Sequence, residues 1–268
     1  MQGPYSFLIS SREALEAVSS LAAGRGVVIN PSKPAIERSF RRPYFPSDKG
    51  EFQDLLLNLG PGNAGVHLTH AEYNVFPSHF GDPGESESYS FFLDIDGRES
   101  LSAAGRLAST MAEELTRLQV PHWVKFSGSK GFHIHIPSGA FPRRVDGVPF
   151  GEAAPRLFLD LKHMLIRRSA AVCKGALASS VIHPRRYYPT SQGIQRLPFS
   201  RHETTGLLAL PLGDEEVAGY VPHLPGEIDP GEIDLRAKII STAAGGAEDL
   251  ISEVRADSRR PPPLYYRR

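Results

Sequence analysis

The spacing of apolar residues changes character near Tyr89. Before it, apolar residues come in short clusters broken by Pro and Gly. Leu15, Val18 and Leu21 share one face of a helix expected over Ser11–Ala23. A second short helix is expected over Glu51–Leu59, ended by Gly60-Pro61-Gly62. The polar stretch from His79 to Ser90, bearing Gly and Pro, predicts a loop. Beyond Tyr89 the pattern is stronger. Ser90–Ile95 predicts a strand buried on both faces. Leu101, Ala104, Leu107, Ala108, Met111, Leu115 and Leu118 recur at helical spacing over Ser100–Leu118. Trp123–Phe126 and Phe132–Pro137 predict strands joined by a tight turn at Ser127–Gly131. A helix is expected to open at Pro155 and run to about Ala171, since proline is favourable in a first turn. Its inward residues are Leu157, Phe158, Leu161, Met164 and Leu165. Short strands are expected at Ser180–His183 and Leu207–Leu210.

These elements sum to an α+β, or mixed α/β, fold without an internal repeat. We expect a single domain over residues 1–258. It divides into an N-terminal α/β part (1–89), a core that carries the motifs (90–212) and a C-terminal segment (213–258). Residues 259–268 hold three prolines flanked by arginine pairs and predict an extended, mobile basic tail.

Composition narrows the classes of function. At 268 residues the chain can bury a substantial core, and its 30 basic and 30 acidic side chains balance. A neutral total argues against attachment to nucleic acid by bulk charge, while leaving room for a local basic groove. Cys173 is the single cysteine, which excludes an intramolecular disulfide and any zinc site of several cysteines. No charged start followed by an apolar run opens the sequence, and no stretch is long enough to span a bilayer. The expectation is a soluble protein of the cytoplasm with no membrane partner.

Three segments carry chemistry. In Phe91-Phe92-Leu93-Asp94-Ile95-Asp96-Gly97, alternation sends Asp94 and Asp96 the same way while Ile95 enters the core. Two neighbouring carboxylates disfavour joint ionisation unless a cation lies between them, and hard magnesium or manganese suits oxygen ligands. Read alone, the pair is equally a solvated strand end. The turn Ser127-Gly128-Ser129-Lys130-Gly131 is sharper. Its glycines allow successive N–H groups to converge on an anion, Ser127 adds a hydroxyl and Lys130 a charge. His133, on the emerging strand, can donate to a phosphate oxygen or neutralise a leaving pyrophosphate. An ordinary hairpin turn is the plain alternative. His135 shares a strand face with His133, but Lys130 nearby would oppose a dication on that pair, so the phosphate role ranks first. The third segment, Gly193 to Gly206, offers Arg196, Arg201 and His202 as donors to a triphosphate or template backbone, or else is a solvated basic loop.

In that order FFLDIDG, SGSKGFHIHIP and RLPFSRHETTG resemble the three landmark regions of the archaeo-eukaryotic primase superfamily. Its members include the small catalytic subunit of archaeal primases and the polymerase domains of bacterial end-joining ligases. Upstream, RSFRRPYF, the LLLNLG helix and His67–Tyr73 are similar to the region before the acidic motif in archaeal small subunits, so the resemblance runs from about Arg38 to Leu212. It implies a primase-polymerase core, an antiparallel or mixed sheet flanked by helices. It makes Asp94 and Asp96 ligands of two catalytic Mg2+ or Mn2+ ions. Ser127, Gly128, Ser129, Lys130, Gly131 and His133 would hold the triphosphate, with Arg196, Ser200 and His202 adding contacts. The implied reaction is attack of a 3′-hydroxyl on the α-phosphate of an NTP or dNTP, on a single-stranded DNA template or primer. Arg38, Arg41 and Arg42 are candidate DNA contacts. A primase large subunit or a helicase is the protein partner that the resemblance suggests.

The chain also departs from the family. The usual third carboxylate, on a strand beside the first pair, is missing from Ser180-Val181-Ile182-His183-Pro184-Arg185-Arg186, where His183 takes the slot as a metal ligand. A lysine common after the His202 position is Thr204 here, and the cysteine-rich zinc knob is absent. Three readings follow. The first is an active primase or template-dependent polymerase, and the second a catalytically weakened subunit that binds nucleotide or nucleic acid for a partner. The third is an unrelated metallohydrolase using Asp94, Asp96, His133 and His135.

Overall fold

A computed structural model describes residues 11–31, 45–46, 48–58, 63–69, 71–73, 86–182, 194–202, 204–241 and 246–260. Helix α1 (Arg12–Ala22) starts at Ser11, whose side chain accepts from the Ala14 N–H at 3.0 Å. Strand β1 (Val27–Pro31), helix α2 (Lys49–Asn58) and strands β2 (Asn63–Thr69) and β3 (Ala71–Tyr73) follow. Strand β4 (Ser86–Tyr89) leads into β5 (Phe91–Gly97) and helix α3 (Leu101–Arg117), capped by Ser100. Next come β6 (Trp123–Phe126), β7 (Gly131–Ile136), the small hairpin β8 (Arg144–Val145) and β9 (Val148–Pro149), and the long helix α4 (Phe150–Val172). Helix α5 (Lys174–Ala178), strands β10 (Ser180–Ile182), β11 (Ile194–Arg196) and β12 (Pro211–Leu212), and helices α6 (Asp214–Val217), α7 (Pro230–Ser241) and α8 (Glu248–Ser258) complete the order.

The expected mixed architecture is present, and its main sheet is wholly antiparallel. Five strands run in the order β10-β5-β7-β6-β12, and a second sheet has the order β1-β2-β11. Strands β5 and β6 are antiparallel to β7 between them, so the connection through α3 crosses over β7. Phe91, Leu93 and Ile95 alternate onto one face with Phe132, Ile134, Ile136, Val124 and Phe126, all buried. The buried face of α3 (Ala104, Leu107, Ala108, Met111 and Leu115) packs against this sheet. Each large apolar side chain removed from water there contributes about 1.5–3 kcal/mol. Helix α7 packs on α1, and α8 on α4. Among the described residues no helix is long and apolar enough to cross a membrane.

Three expectations need correction. The His79–Ser90 stretch is not all loop, because Ser86–Tyr89 pairs with β3 as a strand; residues 79–85 lie outside the described residues. Helix α4 begins at Phe150, five residues before Pro155. Pro155 lies in the second turn, where it removes the one backbone donor that would reach the Gly151 carbonyl while the helix runs on through it, so it did not mark the boundary. Leu207–Leu210 forms only an isolated bridge, Leu208 with Arg201, and the strand lies just beyond, at Pro211–Leu212. Gly60-Pro61-Gly62 and tail residues 261–268 lie outside the described residues.

Candidate active site

The second face of the same strands is polar. Register places Asp94 opposite His133 and His133 opposite Lys125, so a carboxylate, an imidazole and an amine form one row across β5, β7 and β6. The next row toward the turn is Asp96 opposite Gly131. The row on the other side is Phe92, His135 and Trp123. Asp94, Asp96 and His133 are almost wholly buried, and His135 and Lys125 have no exposure.

Local geometry ties the acidic strand to the turn. His133 Nε2 lies 3.5 Å from Asp94 Oδ1, and Lys130 Nζ lies 3.0 Å from Asp96 Oδ2. The Gly97 N–H donates to the Lys130 carbonyl at 2.9 Å. Within the turn, Ser127 Oγ accepts from the N–H groups of Ser129 and Gly131, both at 3.3 Å. These are amides that the sequence offered to a phosphate, and here the serine hydroxyl receives them. Gly128 has φ +86°, a left-handed conformation suited to glycine. At Gly131 a Cβ would sit 2.3 Å from the Ile95 carbonyl oxygen and 2.7 Å from Asp96 Oδ1. Only glycine lets the turn close on the acidic strand.

The third segment reaches the same place from another direction. His202 Nδ1 accepts from the Thr204 and Thr205 N–H groups at 3.2 and 3.3 Å, which leaves the ring proton on Nε2. Its Cβ would be 3.0 Å from a Cβ at Gly128, so this loop covers the Ser127–Gly131 turn. Thr205 Oγ1 donates to the Gly128 carbonyl. Arg196 is buried on β11, with Nη1 donating to the Arg201 carbonyl at 3.4 Å. Ser200 is buried and donates to the Leu197 carbonyl at 2.7 Å, so its hydroxyl shapes the loop.

Two buried lysines were missed in the sequence. Lys125 Nζ donates to the Arg196 carbonyl. Burial first, and then the Arg196 guanidinium, hold its pKa well below the ordinary lysine value, with Asp94 acting in the opposite sense. Lys162 on α4 is also buried, and burial lowers its pKa to about 8 against the pull of the Asp94 carboxylate. The signal existed for Lys162. It lies in the stripe Phe158, Leu161, Lys162, Leu165, Ile166 at helical spacing, where the pattern calls for an apolar residue.

The metallohydrolase reading required His135 beside the acids. Instead its ring lies 4.6 Å from that of Trp123, and its Nε2 pairs with the Gln195 side-chain amide at 3.2 Å, one row beyond His133. Among the described residues, no group of three or more His, Cys, Asp or Glu side chains is arranged to hold a metal ion. What Asp94 and Asp96 do offer is a pair of oxygen donors on one face, with the Lys130 ammonium and the His133 imidazole close to them. That donor set fits one hard divalent ion. Strand β10 carries no acid and its pairing is described as far as Ile182 opposite Ile95. His183, Arg38, Arg41 and Arg42 lie outside the described residues. A cleft of about 470 Å3 opens between α1 and α7 beside His135 and Pro137, and neither Asp94 nor Asp96 lines it.

Comparison with known proteins agrees with this arrangement. Residues 63–154 match the family model described as LigD, primase-polymerase domain, a span holding Asp94, Asp96 and the Ser127–Gly131 turn. No curated protein matches the chain. Among solved structures, the polymerase domain of ligase D from Mycobacterium tuberculosis, in complex with DNA, is similar over 94% of this chain and 96% of its own, with 12% identity and a TM-score of 0.52. At that identity the likeness is one of fold. Over residues 63–154 the chain is therefore similar to the LigD primase-polymerase domain, and its fold is shared with a ligase D polymerase domain.

Proposed function

We propose that the chain joins NTPs or dNTPs on a single-stranded DNA template or primer, releasing pyrophosphate. One observation carries this reading: the antiparallel register sets Asp94 and Asp96 directly against His133 and Gly131 of the phosphate turn. A metal dyad and a triphosphate cradle therefore meet at one end of one sheet, where an α-phosphate has to lie between them.

Asp94 and Asp96 would hold Mg2+ or Mn2+, and His183 is the proposed third ligand, since it directly follows Ile182 of β10. When bound, such an ion polarises the α-phosphate and offsets charge on the leaving pyrophosphate. The remaining work belongs to side chains. Lys130, exposed and paired with Asp96, is able to swing its ammonium from the carboxylate to the γ- or β-phosphate. His133 Nε2 keeps a proton toward Asp94 until a phosphate oxygen offers a better acceptor. Ser127, Gly128, Ser129 and Gly131 shape the turn, while Arg196 and the Nε2–H of His202 approach from the opposite loop. Ser200 acts by holding that loop. A second ion would be weakly held with two carboxylates. DNA is the proposed nucleic-acid partner, contacted by Arg38, Arg41 and Arg42, and a primase large subunit or a helicase is the proposed protein partner.

The test is incorporation of labelled nucleotide on a primed single-stranded template with Mg2+ or Mn2+. Activity in the wild type, lost in Asp94→Ala and Asp96→Ala, is expected; incorporation that survives both changes refutes the reading. A second reading, a subunit that binds nucleotide without turnover, is favoured by the lack of a third acid on the described part of β10. Nucleotide binding with no extension under any divalent metal would support it.

A further inference from the structure

The structure assigns to Lys125 a role outside the three motifs: it positions Arg196. This inference rests on the proposal that the site binds a triphosphate. Lys125 lies on β6 in the five-stranded sheet and Arg196 on β11 in the other sheet, so the bond from Lys125 Nζ to the Arg196 carbonyl crosses between the two. A second side-chain link between the polar face and β11 runs from His135 to Gln195, one residue away along β11. Together they fix consecutive residues of β11 above that face.

Burial makes packing alone a poor explanation for this lysine. It has no exposure, and lysine is almost never fully buried without a partner. A leucine or methionine would fill the same space without the desolvation cost. What an apolar side chain cannot supply is an N–H aimed at a carbonyl 71 residues further along the chain. Position 125 is also set by register. Lys125 opposes His133, which opposes Asp94, so the tether is anchored in the row that carries the metal and phosphate groups. The low basicity of the amine suits this task. Burial and the Arg196 guanidinium both lower the lysine's pKa, so the site disfavours a full second charge beside that guanidinium. Arginine at 125 would be permanently charged and too large.

The experiment is calorimetric titration of the full chain with sodium tripolyphosphate and Mg2+, a probe that does not depend on base or sugar. Wild type, Lys125→Met, Arg196→Ala and the double variant are compared, with folding checked by circular dichroism. Lys125→Met is expected to weaken tripolyphosphate binding by about three- to tenfold, the effect of one hydrogen bond. In the Arg196→Ala background the same change should have no further effect, because the lysine acts through the arginine. In extension assays Lys125→Met should raise KM for the nucleotide more than it lowers kcat. Wild-type affinity in Lys125→Met, or losses that multiply in the double variant, would overturn the positioning role alone. No tripolyphosphate binding by the wild type would overturn the triphosphate site and this inference together. If Lys125→Met does not fold, Lys125→Gln replaces it, and its loss must likewise vanish in the Arg196→Ala background. Where both fold, Lys125→Gln keeps an N–H donor and should bind more tightly than Lys125→Met; the reverse order contradicts the tether.

Discussion

The two faces of the central sheet are made from the same residues taken alternately, yet they answer to different physics. On the α3 side, Leu93, Ile95, Phe132 and Ile134 are buried among apolar neighbours. On the other side, Asp94, Asp96, His133, His135 and Lys125 are buried as well, with exposures of 8%, 9%, 8%, 0% and 0%. The first face lowers the free energy of folding. The second opposes it, because burying charged or polar groups costs free energy unless partners compensate. A sequence shaped by stability alone would not keep five such groups on three strands. The polar face is therefore where function is to be sought, and the apolar face is what allows it to exist.

That division can be broken from either side. The largest effect should come from the polar face. Asp94→Ala is expected to lower template-directed incorporation by about a thousandfold, the consequence of losing several kcal/mol of transition-state charge stabilisation. Circular dichroism should show the variant still folded. Ile134→Ala, one residue along β7 from His133, should do the reverse. It is expected to destabilise by about 2–5 kcal/mol in urea unfolding, while molecules that remain folded keep their nucleotide affinity.

Lys162 sharpens the comparison through pH. Its folded pKa of about 8 lies below the ordinary lysine value of 10.5. Between these values the unfolded chain binds more protons than the folded one, so this group makes stability rise with pH across that window. The penalty is fully present below about 8 and gone near 10.5. Lys162→Met is therefore expected to stabilise by up to roughly 3 kcal/mol at neutral pH, with the gain shrinking above pH 8 in parallel unfolding curves. A pH-independent gain would show that packing, not charge, is responsible. The smallest stability effect belongs to Lys130, whose ion pair with Asp96 is exposed on the lysine side. Lys130→Ala should change stability by less than about 1 kcal/mol, yet raise KM for the nucleotide clearly.

The parts of the site legible in the sequence are those written in consecutive residues. Asp94 and Asp96 follow from alternation, and SGSKG followed by His133 follows from turn chemistry. The helix over Leu101–Arg117 was legible because its apolar stripe is long and regular. The illegible parts depend on pairings distant in sequence. Nothing local to Ile194–Arg196 says that it joins β2, whose pairing sets Arg196 opposite His67 in another sheet. Lys125 was hidden for a related reason, since a lysine inside an apolar run is normally read as reaching for solvent. Turn-rich composition likewise concealed β4, because a strand of four polar and aromatic residues has no apolar alternation to announce it.

The central claim is that Asp94, Asp96 and the phosphate turn form one binding site for a metal and a triphosphate. Anomalous diffraction from crystals grown with Mn2+ and a non-hydrolysable nucleoside triphosphate tests it most directly. The account expects a manganese peak touching both Asp94 and Asp96, with phosphate oxygens on Ser127, Lys130 and His133. A manganese peak that touches neither carboxylate, or a triphosphate bound away from the turn, would contradict it.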